Sequence, residues 1–179
     1  MTTLPAPTRQ SPRVAEIVAA ARRVLETEGW DAVTMRRLAD KVGIRAPSLY
    51  KHIVDKAALE VALITEALVE MGEVLHAAVA RPGRQGTVAA LLAAYRRHSV
   101  ANPDIYRLAT SGPLPRGSLT PGLEDWAGEP FFLATGDPAK AQALWSFAHG
   151  MVILEIDGRY PDGSDLDATW RAGAKAFGA

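Results

Sequence analysis

Residues 39–59, ADKVGIRAPSLYKHIVDKAAL, set the tightest constraint on what this chain can fold into. Leu38, Ala39 and Val42 fall on one helical face, and Gly43 stands where a helix ends in a left-handed residue. Ile44 then plugs the core, and Leu49 is the inward anchor of a second short helix from about Ala46 to His52. Pro47 is tolerated because it lies in the first turn of that helix. Two short helices are thus joined by a tight corner.

Helical signals recur on both sides of it, and no segment sustains the period-two alternation of a half-buried strand. Ser11 and Pro12 form an N-cap followed by a first-position proline, and Val14, Ile17, Val18, Ala21, Val24 and Leu25 carry that helix to Gly29. Thr34 caps the helix that enters the corner, and Asp55 caps a long strut that runs to about Ala80. Further helices are predicted over 87–101 and 103–111, followed by a Pro- and Gly-rich loop, GPLPRGSLTPGLED. A Pro130-interrupted helical stretch holds Trp126, Phe131 and Phe132, Asp137 and Pro138 open a strong helix to Gly158, and Leu166 to Phe177 closes the chain. The expected fold is all-α: a disordered arm over 1–10, a three-helix domain over 11–56 with two short helices about a tight corner, and a second helical domain over 57–179.

Composition narrows the function. The chain has 179 residues, 48% of them hydrophobic and 22% charged, enough to bury a substantial core. The absence of cysteine excludes disulfides and thiolate chemistry, and four scattered histidines give no metal-ligand spacing, so neither cofactor nor metal is expected. The first dozen residues lack the apolar core of a signal peptide, and no apolar run reaches the roughly 18 residues of a membrane span, which points to the cytoplasm and away from a membrane. Zero net charge conceals a split: residues 1–56 hold ten Lys and Arg against six Asp and Glu, a net of +4, and the remainder carries −4. A basic end joined to an acidic body fits a module that faces nucleic acid.

Short helix, glycine corner, short helix is the pattern of a helix-turn-helix, whose inward side chains lock the angle and whose outward ones enter a major groove. The outward set is Arg45, Ala46, Ser48, Lys51 and His52, with Tyr50 and Lys56 beside it. Arg and Lys can meet phosphates or guanine edges, Ser48 and Tyr50 can donate to phosphate, and Ala46 can touch a thymine methyl. Tyr50 also suits half-buried packing, and His52 also suits a helix-end hydrogen bond.

The stretch TMRRLADKVGIRAPSLYKHIVDKAAL, residues 34–59, resembles the tetracycline-repressor-like (TetR) transcriptional regulators. Thr34, Gly43, Leu49 with Tyr50, His52 and Lys56 match residues that recur together in that family, and Gly29 with Trp30 precede them in place. The resemblance implies that Thr34 and Tyr50 bind phosphate and that Lys56 meets the DNA backbone. It places Arg36, Ala46, Pro47, Ser48, Lys51 and His52 where base or groove contacts are usual. Arg45 departs from the pattern, standing where many members have a capping Ser; it weakens the cap and adds a cation at the groove. Ile53 replaces the usual Phe.

The helix over 138–157 is apolar on nearly every side, so one side is expected to face its own core and the other a second copy. Leu144, Ala148, Met151, Val152, Glu155 and Trp170 are the residues assigned to a homodimer interface, in line with the pairing that the resemblance implies. Trp145, His149 and Gly150 resemble a C-terminal domain type found in part of the family. A homodimer would present two recognition helices to a palindromic double-stranded DNA operator. Tyr95, His98, Tyr106, Trp126, Phe131, Phe132, Trp145 and His149 offer an aromatic lining with polar tips for a small-molecule effector, though aromatics at helical spacing are as often plain core. The resemblance implies a repressor that such an inducer releases from DNA. Two other classes remain compatible with a helical chain: a small-molecule-binding or protein-interaction module without operator binding, and an enzyme. Ser146, His149 and Asp157 supply acid-base groups, but no nucleophile elbow, phosphate loop or His-Glu metal motif surrounds them, so no catalytic activity is expected.

Overall fold

The computed structural model describes Thr3, Pro5 and residues 11–178; the expected arm over 1–10 otherwise lies outside the described residues. Among the described residues there are nine α-helices and no strand: α1 Pro12–Glu28, α2 Met35–Lys41, α3 Ala46–Leu49, α4 Lys56–Ala80, α5 Thr87–Ala101, α6 Pro103–Thr110, α7 Leu123–Thr135, α8 Pro138–Ile156 and α9 Leu166–Phe177. They form two compact units. The first holds α1 to α3, α4 as far as Leu68, and Asn102–Leu123; the second holds Val69–Ala101 and the chain from Glu124 onward.

Local capping chemistry sets most helix starts. Ser11 accepts the Val14 N–H at 3.3 Å, Thr34 that of Arg37 at 3.3 Å, and Asp55 that of Ala58 at 2.7 Å. Asp137 and Asp165 do the same for α8 and α9. Each such bond satisfies a donor that a helix start leaves open.

In the first unit, Ile17, Val18, Ala21, Val24 and Leu25 of α1 pack with Leu38, Leu49, Leu59 and Leu63 in one buried cluster. Ile105 and Leu108 of α6 join this core, a placement that the helical pattern around 103–110 does not reveal. The corner after α2 is a left-handed glycine cap: Gly43 has φ 67°, its N–H reaches the Asp40 carbonyl at 3.3 Å, and the Ile44 N–H reaches that of Ala39 at 2.9 Å. The helix after the corner is shorter than the predicted span to His52. The N–H groups of Lys51 and His52 turn back to Ser48 and Leu49, which leaves Ile53 only 5% exposed and frees Asp55 to cap α4.

In the second unit, α5 packs on α8 and α9. Arg96 of α5 donates from Nε and Nη2 to the Glu155 carboxylate at 2.7–3.0 Å, pairs with Asp167, and lies 5.7 Å from the Trp170 ring. The Trp170 indole N–H closes the group on Glu155 at 3.1 Å.

The expected interruption at Pro130 is not observed: α7 runs unbroken from Leu123 to Thr135 with the proline inside it. The reason lies on another helix. Proline has no N–H, so the carbonyl four residues earlier, that of Trp126, loses its usual intrahelical donor. His76 Nε2 lies 2.9 Å from that carbonyl and supplies the donor, while the imidazole stacks on the Trp126 ring at 4.8 Å. Gly72, one turn earlier on α4, makes the approach possible, because a Cβ there would fall 2.2 Å from the indole.

His76→Leu should therefore leave a buried carbonyl without a partner and lower stability by about 1–3 kcal/mol. In a Pro130→Ala background, where a backbone N–H can take over, the same change should cost markedly less. Thermal or urea unfolding of the four members of this double-mutant cycle measures the difference.

Candidate nucleic-acid interface

The outward side of α2, the corner and α3 carries hydroxyls and cations that stand clear of the core. Thr34, Arg36, Arg45, Pro47, Tyr50, Lys51 and His52 are exposed, and Ala46, Ser48 and Lys56 are half-buried. Thr34 Oγ1 already accepts the Arg37 N–H, so its hydroxyl hydrogen is left to donate outward. Tyr50 is 48% exposed although the adjacent Leu49 is fully buried, so the ring's polar edge is presented while the backbone is anchored.

The cations divide into two groups that sequence spacing does not separate. Arg37 pairs with Glu28, whose carboxyl this hydrogen bond holds below its ordinary value, and so points back to the protein. Lys56 donates to the Trp30 carbonyl at 3.2 Å and sits 4.4 Å from the centre of that indole, which fixes its ammonium at the start of α4. Trp30 thus belongs to the site although sequence spacing gives it no contact role; its one signal is the Gly29-Trp30 pair. Arg36, Arg45 and Lys51 have no carboxylate partner among the described residues. Arg13 braces the corner from α1 by donating to the Val42 carbonyl at 3.3 Å. What results is a fixed surface of hydroxyls and unpaired cations, suited to phosphates and base edges.

The residues assigned to an effector pocket are not all brought together. Tyr95 and Phe131 meet edge to face at 5.8 Å in the second unit, where Trp126 is also buried, while Tyr106 is buried in the first. Phe132 and Trp145 are 45% and 46% exposed, and Trp145 stacks on the half-buried His149 at 6.0 Å. His98 is half-buried on α5. Two polar groups outside the expected set lie in the second unit: His76 Nδ1 and Ser99 Oγ are buried without a hydrogen-bond partner among the described residues. An open groove of about 540 Å³ lies elsewhere, where Val54, Ala58 and Val61 face Pro113, Pro115 and Ser118 of the first unit.

The residues assigned to a dimer interface are already covered within a single chain. Leu144, Ala148, Met151, Val152 and Trp170 are at most 7% exposed within a single chain, and Glu155 is engaged by Arg96 and Trp170. They face the chain's own interior. The uncovered side of α8 carries exposed Trp145 and Leu154 with half-buried His149, Ile153 and Ile156. An even distribution of apolar residues around a helix gives no sign of which side turns inward.

Among the described residues, no helix is long and apolar enough to cross a membrane, and no group of three His, Asp or Glu is placed to hold a metal.

Comparison with known proteins agrees with this geometry. The family described as bacterial regulatory proteins, tetR family, matches residues 17–63, and a tetracyclin repressor-like C-terminal domain matches residues 88–177. An uncharacterized HTH-type transcriptional regulator of Mycobacterium tuberculosis is 31% identical over 172 residues, covering 86% of this chain and 74% of that protein. The chain belongs to the tetR family. As a tetR-family protein it is a DNA-binding transcriptional regulator. Solved structures share the fold: a Rhodococcus protein of unknown function has a TM-score of 0.79 at 21% identity, over 96% of each chain. The multidrug binding protein EbrR, complexed with imidazole, has a TM-score of 0.71 at 21% identity, over 93% of this chain and 95% of its own.

Two outcomes follow. Tyr50→Ala should weaken DNA binding about tenfold or more, the loss of one hydrogen bond to a charged group, while Arg37→Ala should change it less than about threefold; fluorescence anisotropy with labelled duplex measures both. Burial holds His149 below its ordinary value of 6.5, so the unfolded chain takes up that proton first as pH falls. Its contribution is fully present above 6.5 and declines below it. The thermal midpoint should therefore fall as pH drops below 6.5, with a flatter profile for His149→Gln.

Proposed function

We propose that this tetR-family regulator is a repressor, that two copies bind a palindromic operator, and that a small apolar effector releases them. The observation that carries the first part is the outward face around α3, where Thr34, Tyr50, Arg36, Arg45 and Lys51 stand exposed on a backbone fixed by the Gly43 corner. Groups of this kind on a helix-turn-helix position a protein on phosphates and read base edges.

Support for pairing comes from α8. A stripe of Trp145, His149, Ile153 and Ile156, with Leu154 beside it, is left uncovered by the chain's own core. A second copy that covers the same stripe makes a two-fold symmetric interface, which in turn requires a two-fold symmetric operator. Support for an effector comes from the buried aromatics of the second unit, Tyr95, Trp126 and Phe131, among polar groups at His76 and Ser99. The ligand-bound state of EbrR is consistent with it. Helix α4 is the element through which ligand and DNA would be coupled, since its residues to Leu68 belong to one unit and those from Val69 to the other. A coupling of about 1–3 kcal/mol gives a several-fold to hundredfold release.

The test is selection of randomised duplex DNA by the full chain, followed by titration of the recovered site at two salt concentrations. The expected outcome is a palindrome bound by two chains, with affinity that falls as salt rises by a slope of about −0.9 per phosphate contact. Absence of any enriched sequence, or binding indifferent to salt, would rule the operator reading out.

A further inference from the structure

Five helices of this chain, α1, α2, α4, α8 and α9, begin on a side-chain oxygen that caps a backbone N–H. Helix α3 does not. Its N-cap position is Arg45, in extended backbone at φ −75°, ψ 145°, with no side-chain capping bond. Arginine has five donors and no acceptor, so it cannot cap a helix start at all. Helix α6 also starts without a side-chain cap, but it has eight residues to the four of α3, so α3 is the helix that can least do without one. Departures from local sequence rules collect where a side chain is needed for something else.

We propose that Arg45 is a specificity-determining residue that reads a guanine through its O6 and N7 atoms, once in each half of the operator. The inference rests on the operator-binding reading above and adds the base. Of the three cations on this face without a carboxylate partner among the described residues, Arg36 is on α2, ahead of the recognition helix, and Lys51 lies beyond the last residue of α3. Arg45 alone stands at the N-terminal end of α3, the end from which recognition helices reach base edges. Its backbone is held still, because the Arg45 carbonyl accepts the N–H groups of Ser48 at 2.8 Å and Leu49 at 3.3 Å. The next residues, Ala46 and Pro47, are short and leave the guanidinium room to approach. A planar fork with donors only needs two acceptors side by side, and in the major groove guanine presents that pair.

The assignment is tested by repeating the duplex selection and a thermal melt with Arg45→Ser and Arg45→Lys beside the native chain. Arg45→Ser restores a capping oxygen, so it should raise the unfolding midpoint. It should still enrich the rest of the palindrome but accept any base at one position per half-site, where the native chain prefers guanine by roughly 5- to 150-fold. Arg45→Lys keeps the charge and should retain only part of that preference. A serine variant with the native base preferences throughout would overturn the proposal. So would one weakened uniformly across sequences with a shallower salt dependence, which would make Arg45 a phosphate ligand. If the native chain itself enriches nothing, the operator reading falls and this inference with it; if the native chain selects a site and the variants leave its pattern unchanged, only Arg45 is misassigned.

Discussion

The corner at Gly43 is the constraint on which the first unit depends. Helix α3 is only four residues long, far too short to persist in water on its own propensity. Its direction is set from outside, by the left-handed glycine before it, by Leu49 buried within it and by Ile53 turned into the core after it. A Cβ at Gly43 would meet no neighbour, so the requirement for glycine there is one of backbone conformation and not of space. Once the corner is fixed, Thr34, Arg45, Ser48 and Tyr50 acquire fixed positions without side-chain scaffolding of their own.

The second unit is held by a different device, polar groups buried or half-buried among apolar ones. The Arg96, Glu155 and Trp170 group ties α5 to α8 and α9, and His76 restores to α7 the hydrogen bond that Pro130 removes. Each is a non-local contact whose loss leaves a polar group short of a hydrogen-bond partner away from bulk water. Such contacts fix which faces of the helices meet more sharply than apolar packing alone.

This contrast explains what could be read from the sequence and what could not. The starts of α1, α2, α4 and α8 and the end of α2 follow from residues within one turn, Ser11, Thr34, Asp55, Asp137 and Gly43, so reading the chain recovers them. The continuity of α7 depends on His76, fifty residues away from Trp126, and no local rule predicts it. The inward face of α8 is not legible in the sequence for a related reason: with apolar residues on all sides, the choice belongs to its neighbours. At the interface the outward positions were legible from the helix-turn-helix register, but Arg36 and Arg37 are adjacent and alike. It takes Glu28, nine residues away, to show that only one of them is free to face DNA.

The central claim is that α3 enters a major groove, and methylation interference on the selected operator tests it most directly. Methyl groups on guanine N7 lie in the major groove and those on adenine N3 in the minor groove. The account predicts interference at guanine N7 positions placed symmetrically in two half-sites about one helical turn apart. Tight binding that is disturbed only by adenine N3 methylation, or by neither, would show that the corner at Gly43 does not present a recognition helix.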